Sequence, residues 1–169
     1  ITEKTPNYQY VAAELLNFYT RKEVFGAQDN LPALYKVISD NIENGVYDTK
    51  VLNDYTESEI NKLDKSIRHK RDYNFTYAGL QQLIDKYLLK DRKSGEVYET
   101  PQYMYMLISM TLFSSYEGKN RHDMVVKFYN DISQFKISLP TPIMAGVRTP
   151  NRQYSSCTLI DVGDSLNSI

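Results

Sequence analysis

Apolar side chains recur every three or four residues through most of the first 133 positions of the chain. This spacing puts them on one face of an α-helix, and residues that start or stop helices divide the pattern into segments. The pattern predicts helices over residues 7–25, 32–45, 48–52, 56–67 and 121–133, with two more that begin at Thr76 and Pro101. We therefore expect a mainly helical domain over residues 1–137.

Two of these predicted helices differ in how their apolar residues are distributed. The helix over residues 7–25 has a single apolar face that we expect to lie against the core, consisting of Tyr8, Val11, Ala12, Leu15, Phe18 and Tyr19. The helix that begins at Pro101 is the most apolar of the set, and Met104, Leu107, Ile108 and Leu112 recur along it. We expect it to be the most buried helix.

Shorter patterns add local detail between these helices. Thr56 followed by Glu59 is typical of a capping box, in which each residue's side chain bonds the other's backbone N–H. Residues 87–89 and 96–98, joined across a Lys-Ser-Gly turn, suggest a small hairpin. The run 65–71 is basic. A phosphate-binding patch is conceivable there, but a solvated helix end is the favoured interpretation.

The last thirty-one residues, 139–169, have a different composition from the rest of the chain. Pro140 and Pro142 open the segment and favour extended backbone at Leu139 and Thr141. Residues 155–162 become apolar and partly β-branched, which predicts a short buried strand. Gly163 would end this strand, and Asp164-Ser165 stands where a helix N-cap would. A strand, turn and helix start is how α/β folds present ligand-binding groups.

Composition excludes several classes of function. The net charge is −1 and the sequence pI is about 6.2, so there is no basic field for nucleic acid. One cysteine allows no internal disulfide, and the apolar run 104–113 is too short to span a membrane. These features favour a cytoplasmic protein. The fifteen tyrosines could suggest a radical relay, but their helical spacing favours a role in the core. The sequence begins with Ile1, and we expect it to be a piece of a longer protein.

Few residues could carry chemistry without outside partners. His69 and His122 are fifty-three positions apart and have no further ligand at helical spacing, so we expect no metal site in this chain. Cys157 lacks an arginine six residues later, which excludes a phosphatase loop. A cysteine hydrolase would need one of the two histidines to lie beside Cys157. A lone cysteine is more often a small core residue.

Longer motifs carry a resemblance that covers nearly the whole chain. Residues 137–169 closely resemble the start of the catalytic barrel in the large subunit of aerobic class I ribonucleotide reductase, through the successive blocks PTPIMAG, RTP and SSC. The resemblance extends upstream through PNYQYVAAELL, DYTESEI, RDYNFTYAGLQQL, KYLLKDRKSGEVYETPQ and KFYNDISQFKISLP. It implies that the helical domain leads into the first strand of a ten-stranded α/β barrel, which starts at residue 138 and continues beyond this sequence. In that family a cone-shaped activity-regulating domain precedes this region.

The resemblance also implies an activity and a set of partners. Members of the family reduce ribonucleoside diphosphates to deoxyribonucleoside diphosphates by thiyl-radical chemistry, under allosteric control of substrate choice. The implied partners are the remainder of the large subunit, a second large subunit, a small subunit that holds a metal-radical cofactor, and thioredoxin or glutaredoxin as reductant. No cofactor is expected in this chain itself. The implied effectors are dTTP, dGTP, dATP or ATP. Neither nucleic acid nor a membrane is an implied partner.

Six residues fall on positions that are functional in that family. By resemblance, Cys157 is the redox-active strand cysteine, Thr141 and Ser156 contact the substrate, and Asp164, Ser165 and Leu166 bind the effector. Thr141 could instead only shape a Pro-Thr-Pro turn, and Asp164 could be a plain helix cap. Arg148 and Arg152 are interpreted as ion-pair residues that fix the loop rather than as phosphate clamps. A non-catalytic scaffold of the same ancestry is the alternative function.

Overall fold

In the computed structural model, the chain folds around one central apolar helix. The structure describes residues 5–91, 93–151, 154–157 and 159–160. Its helices are α1 (Tyr8–Phe25), α2 (Leu34–Glu43), α3 (Lys50–Asp54), α4 (Glu57–Asp64), a 3₁₀ helix (His69–Asn74), α5 (Tyr77–Lys86), α6 (Pro101–Leu112), α7 (Gly118–Ser133) and α8 (Thr141–Gly146). The prediction of a mainly helical fold is confirmed.

Helix α6 is the centre of the core, as its composition predicts. Every residue from Pro101 to Met110 is buried, so the helix contacts protein all round its circumference. Pro101 occupies the first turn, where a missing N–H costs no hydrogen bond. Helix α6 packs against α7, the 3₁₀ helix and α8. Burial of this whole helix supplies much of the apolar contact that stabilises the domain.

The helix starts predicted from capping residues are also present. Thr56 and Glu59 form the capping box, with the Thr56 N–H donating to the Glu59 carboxylate at 2.9 Å. Thr76 Oγ1 accepts from the Gly79 N–H at 3.2 Å at the start of α5. The predicted hairpin is reduced to one antiparallel bridge between Lys90 and Val97. Turn chemistry thus brings the two segments together, without extended strands on either side of the bridge.

The predicted orientation of α1 is wrong. Tyr8, Val11, Leu15 and Tyr19 are between 52% and 64% exposed, whereas the buried residues are Ala13, Asn17, Thr20 and Arg21. The reason is a specific polar contact that outweighs the apolar pattern. Arg21 donates to the buried Asp72 carboxylate at 3.0 Å and to the His69 carbonyl at 2.7 Å. A buried carboxylate requires such a partner, and this requirement turns the polar face of α1 inward.

The end of the chain departs from the prediction at two places. Thr141, expected in extended backbone, begins helix α8, with Pro140 as its N-cap and Pro142 in the first turn. Proline is tolerated in a first helical turn, so this pair starts a helix instead of preventing one. The described residues of the predicted strand 155–162 form no strand, and Leu159 is 100% exposed. A strand buried on both faces needs neighbouring strands, and the described ranges supply none.

Candidate functional site

The segment with the predicted site residues is attached to the helical domain through Arg148. Its side chain is fully buried, and its guanidinium forms an ion pair with Glu99, with Nε 2.9 Å from Oε2. The same guanidinium donates to the carbonyls of Met144 at 2.5 Å and Tyr87 at 2.9 Å. Arginine suits this role because its planar group donates in several fixed directions. The interpretation of Arg148 as a residue that fixes the loop is confirmed.

The Glu99 carboxylate is the acceptor at the centre of this arrangement. Besides Arg148, it accepts from the Tyr47 hydroxyl at 2.7 Å and the Leu89 N–H at 2.9 Å. Glu99 is fully buried, so these donors replace the water it would otherwise bind. Burial, followed by the negative charge of Glu99, raises the pKa of Tyr47 well above its ordinary value, so its hydroxyl stays a donor. The network therefore joins α8 to the segment before α6 and to the turn after α2.

Thr141 lies at the first position of α8, on the side of the helix that faces Tyr87. The two hydroxyl oxygens are 3.3 Å apart, which is a hydrogen bond. This bond to Thr141, before any other influence, lowers the pKa of Tyr87. Thr141 is only partly buried. Arg148 holds the Tyr87 carbonyl, and the position of Thr141 consequently depends on the same buried ion pair.

Ser156 and Cys157 are adjacent, and both are exposed. The Ser156 hydroxyl lies 3.7 Å from the Cys157 sulfur, within hydrogen-bond distance for a sulfur atom. Cys157 is a free thiol at the surface rather than a small core residue. Among the described residues, no hydrogen bond links either residue to Thr141. The structure thus brings two of the predicted site residues, Ser156 and Cys157, into contact.

Four of the predicted residues lie outside the part of the chain that the structure describes, and the two histidines lie within it. Asp164, Ser165 and Leu166 lie outside the described residues, as does Arg152. His69 packs on the Tyr103 ring at 4.9 Å, and its burial lowers its pKa to about 4. Neither histidine forms a hydrogen bond with Cys157 in the described part of the chain, so the contact that a cysteine hydrolase requires is not seen.

The described residues also bear on metal, membrane and phosphate sites. No group of three or more histidine, cysteine, aspartate or glutamate side chains is arranged to hold a metal ion in these ranges. No helix among them is long and apolar enough to cross a membrane. The basic run 65–71 also forms no common patch, because Arg71 turns inward to Ser133 and Asn130 while Arg68 bonds nearby carbonyls.

Sequence reasoning missed the residues that position the site. Glu99, Tyr47 and Tyr87 hold α8 in place, although no motif marks them as functional. One signal was available for Glu99. It is a single acid directly before Thr100-Pro101 and the most apolar helix of the chain, where a charged side chain requires a buried partner. The identity of that partner, forty-nine residues away, is not encoded locally.

Comparison with known proteins finds a family model and several relatives that this chain resembles. Residues 73–152 match the family model described as ribonucleotide reductase, all-alpha domain. Over all 169 residues, the chain is 52% identical to ribonucleoside-diphosphate reductase 1 subunit alpha of Salmonella typhimurium and 50% identical to that of Escherichia coli. It is 48% identical to ribonucleoside-diphosphate reductase subunit alpha of Enterobacteria phage T4. The chain matches a fragment of the ribonucleotide reductase large subunit.

The match has a definite extent. It covers 100% of this chain but only 22% of the length of each of these three relatives. The resemblance stated from the motifs is therefore confirmed, and the all-alpha family description agrees with the helical fold. The family model includes Thr141 and Arg148 and ends before Ser156 and Cys157. The match to the ribonucleoside-diphosphate reductase alpha subunits runs over all 169 residues and so spans all four positions.

Proposed function

We propose that this chain is a functional part of a ribonucleoside-diphosphate reductase large subunit, which reduces ribonucleoside diphosphates to deoxyribonucleoside diphosphates in the cytoplasm. The observation that carries the proposal is about 50% identity over the whole chain to subunits with that name. The structure supports it with an exposed thiol beside a hydroxyl group, and with a buried ion pair that fixes the end of α8. Removal of the ribose 2′-hydroxyl requires a reductant, and a thiol is one.

In this proposal Cys157 supplies one half of a redox pair. The overall step converts a ribonucleotide and two thiols into a deoxyribonucleotide, a disulfide and water. The two thiols give up two electrons and two protons, and the 2′-oxygen leaves as the water. The sequence has one cysteine, so the second thiol belongs to a part of the large subunit outside this sequence. A disulfide requires the two Cα atoms to approach within about 4.4–6.8 Å.

Thr141 and Ser156 have the proposed role of binding substrate through their hydroxyl groups. A hydroxyl donates to a phosphate or ribose oxygen without adding charge, and it also accepts. Thr141 is prepared for this role because Tyr87 holds its oxygen from one side. Ser156 directly precedes Cys157, so a substrate contact to Ser156 would also place the substrate near the thiol. Arg148 is a positioning residue here, since its guanidinium is fully enclosed and cannot reach a ligand.

The remainder of the machinery is proposed to come from partners. These are the rest of the large subunit, a second large subunit, a small subunit and thioredoxin or glutaredoxin. The small subunit would supply the metal-radical cofactor. One surface of this chain supports such completion, because α1 exposes an apolar stripe of Tyr8, Val11, Leu15 and Tyr19. A stripe of this kind is usually covered in a complete protein.

Residues 1–169 alone are expected to be inactive, and to gain activity only with the complementary remainder of the large subunit and the small subunit. The physical reason is that one cysteine cannot form the required disulfide. The measurement is deoxynucleotide formation from a ribonucleoside diphosphate, with and without the complementary polypeptide. A control omits only the small subunit. Product formation by residues 1–169 alone, or failure of the two pieces to associate, would contradict the proposal.

Asp164→Ala is expected to weaken effector binding and to reduce the effect of the effector on substrate selectivity, while basal reduction continues. The proposed role of Asp164, with Ser165 and Leu166, is to bind dTTP, dGTP, dATP or ATP. Loss of a hydrogen bond between a carboxylate and a ribose hydroxyl costs about 1.5–3 kcal/mol, which is roughly tenfold or more in affinity. The measurement is an effector titration of substrate selectivity in the complete enzyme. Asp161→Ala is the matched control, and an unchanged titration for Asp164→Ala would leave that residue as a helix cap.

A further inference from the structure

A cleft of about 620 Å³ lies between the end of α4 and the start of α7. It is separate from the proposed substrate site, because neither Thr141 nor Cys157 lines it. Lys62 and Lys65 form one wall, and Lys119 and His122 lie on the wall formed by α7. This arrangement surrounds the cleft with basic side chains from two separate parts of the sequence.

The charges in the cleft are unbalanced. Four cationic side chains line it, those of Lys62, Lys65, Lys119 and Arg121, against the carboxylates of Glu59 and Asp123. This is an excess of two positive charges in a chain whose total net charge is −1. Arg121 is already paired with Glu59. The side chains of Lys62, Lys65 and Lys119 are exposed and form no ion pair with any described residue. The three lysines therefore have their charge available for a ligand.

The start of α7 intensifies this imbalance. The N-terminal end of a helix carries partial positive charge, so acidic residues are stabilising there and basic residues are not. The first turn of α7 contains no acidic residue, and its N-cap, Glu117, makes no capping hydrogen bond through its side chain. Lys119, Arg121 and His122 follow instead. Apart from the N-cap Glu117, the side chains from Gly118 to His122 are basic or uncharged, so the partial positive charge of the helix end adds to that of Lys119.

We propose that this cleft binds an anion with two or more phosphate groups. The lysine ammonium groups act as mobile point charges that can follow the oxygens of neighbouring phosphates, and the open N–H groups of the first α7 turn add donors. Lysines on both walls favour a chain of phosphates over a single phosphate group. The bound anion would neutralise the lysines and the end of α7 together. This inference does not depend on the reductase activity proposed above.

The test is calorimetric titration of inorganic tripolyphosphate into the complete protein that carries this chain, at low ionic strength. Saturable binding is expected, and it should weaken at least about tenfold in the triple variant Lys62→Gln, Lys65→Gln, Lys119→Gln. Lys127→Gln is the matched control, because Lys127 is an exposed lysine on α7 that does not line the cleft. Its affinity should stay within about twofold of the parent's.

Lys119→Glu provides a second variant that separates binding from folding. An acid in the first turn complements the dipole of α7, so this variant should melt at or above the temperature of the parent protein. It should nevertheless bind tripolyphosphate more weakly than Lys119→Gln. Titration with ATP and with adenosine shows whether a nucleoside adds affinity to the phosphate contacts. Absence of saturable tripolyphosphate binding, or equal affinity in the triple variant and the parent, would overturn the proposal.

Discussion

Cys157→Ser is expected to abolish multiple-turnover reduction of ribonucleoside diphosphates in the complete enzyme supplied with thioredoxin or glutaredoxin. Serine preserves the size of the side chain and its ability to hydrogen-bond with Ser156, whose hydroxyl lies 3.7 Å from the sulfur. Serine cannot form a disulfide, so it cannot supply electrons for the reduction of the substrate as a thiol pair does. Substrate affinity should change only a few-fold, since no charge is lost. The measurement compares steady-state deoxynucleotide formation with equilibrium binding of the diphosphate.

Ser155→Ala is the control for this variant. It alters a hydroxyl side chain two positions away, in the same exposed segment, and has no role in the proposed chemistry. It should retain turnover near that of the parent enzyme. Continued turnover by Cys157→Ser with the protein reductant would contradict the redox role of Cys157. Equal loss of activity in both variants would instead indicate that the segment is simply sensitive to substitution.

The helical domain shows which parts of a fold can be predicted from periodicity. Helix α6 was predicted correctly because its apolar residues exceed what one face can hold, and such a helix has no alternative to burial. The starts of α4 and α5 were predicted correctly because Thr56 and Thr76 bind backbone N–H groups within three residues. Both kinds of signal are local. They require no knowledge of what else the chain packs against.

Helix α1 shows where this reasoning fails. Its apolar stripe predicts one orientation, but the buried Asp72 carboxylate requires Arg21 and determines the other. Burial raises the pKa of Asp72 to about 6, although hydrogen bonds from Gln102 and the charge of Arg21 lower it. Removing Arg21 from such a group would leave an uncompensated buried charge at a cost of about 3–5 kcal/mol, which is comparable with the gain from burying two more apolar side chains. The partner of Asp72 lies fifty-one residues earlier and has no local signature.

The candidate site shows the same contrast between local signals and long-range contacts. The motif blocks around Thr141, Ser156 and Cys157 could be recognised from the sequence because they are long and specific, and the full-length identity to known subunits confirms that recognition. The Tyr87 contact that orients Thr141 could not, because it joins positions fifty-four residues apart. Arg148 was interpreted correctly in kind, as an ion-pair residue, without its partner. The residue blocks that carry the resemblance are therefore local in the sequence, whereas the contacts that position Thr141 are not.

Arg148→Ala is expected to destabilise the protein by about 3–5 kcal/mol, which is the usual cost of removing one member of a buried ion pair. The pair is completely enclosed, with both side chains 0% exposed. The variant would leave the Glu99 carboxylate buried with only the Tyr47 hydroxyl and the Leu89 N–H as donors. The melting temperature should fall by roughly 10 °C for a protein of this size. Urea unfolding followed by circular dichroism measures the free energy of unfolding directly.

Lys36→Ala is the matched control, because it removes one member of an ion pair that is exposed. Lys36 lies 2.8 Å from Asp40 on α2, with side chains 66% and 53% exposed, and its loss should cost less than about 1 kcal/mol. The double variant Arg148→Met, Glu99→Leu removes both buried charges but leaves the Tyr47 hydroxyl and the Leu89 N–H without their acceptor, so it should recover only part of the loss of Arg148→Ala. Equal effects of Arg148→Ala and Lys36→Ala would contradict the burial of the pair.

The same variants separate stability from substrate binding. Arg148 donates to the Tyr87 carbonyl at 2.9 Å, and the Tyr87 hydroxyl in turn contacts Thr141 at 3.3 Å. The double variant should therefore fold, yet hold Thr141 less firmly and bind the ribonucleoside diphosphate more weakly in the complete enzyme. Tyr87→Phe, which removes only the hydroxyl contact, should weaken substrate binding with a much smaller loss of stability. If both variants bound substrate as tightly as the parent, Thr141 would not depend on the buried pair for its position.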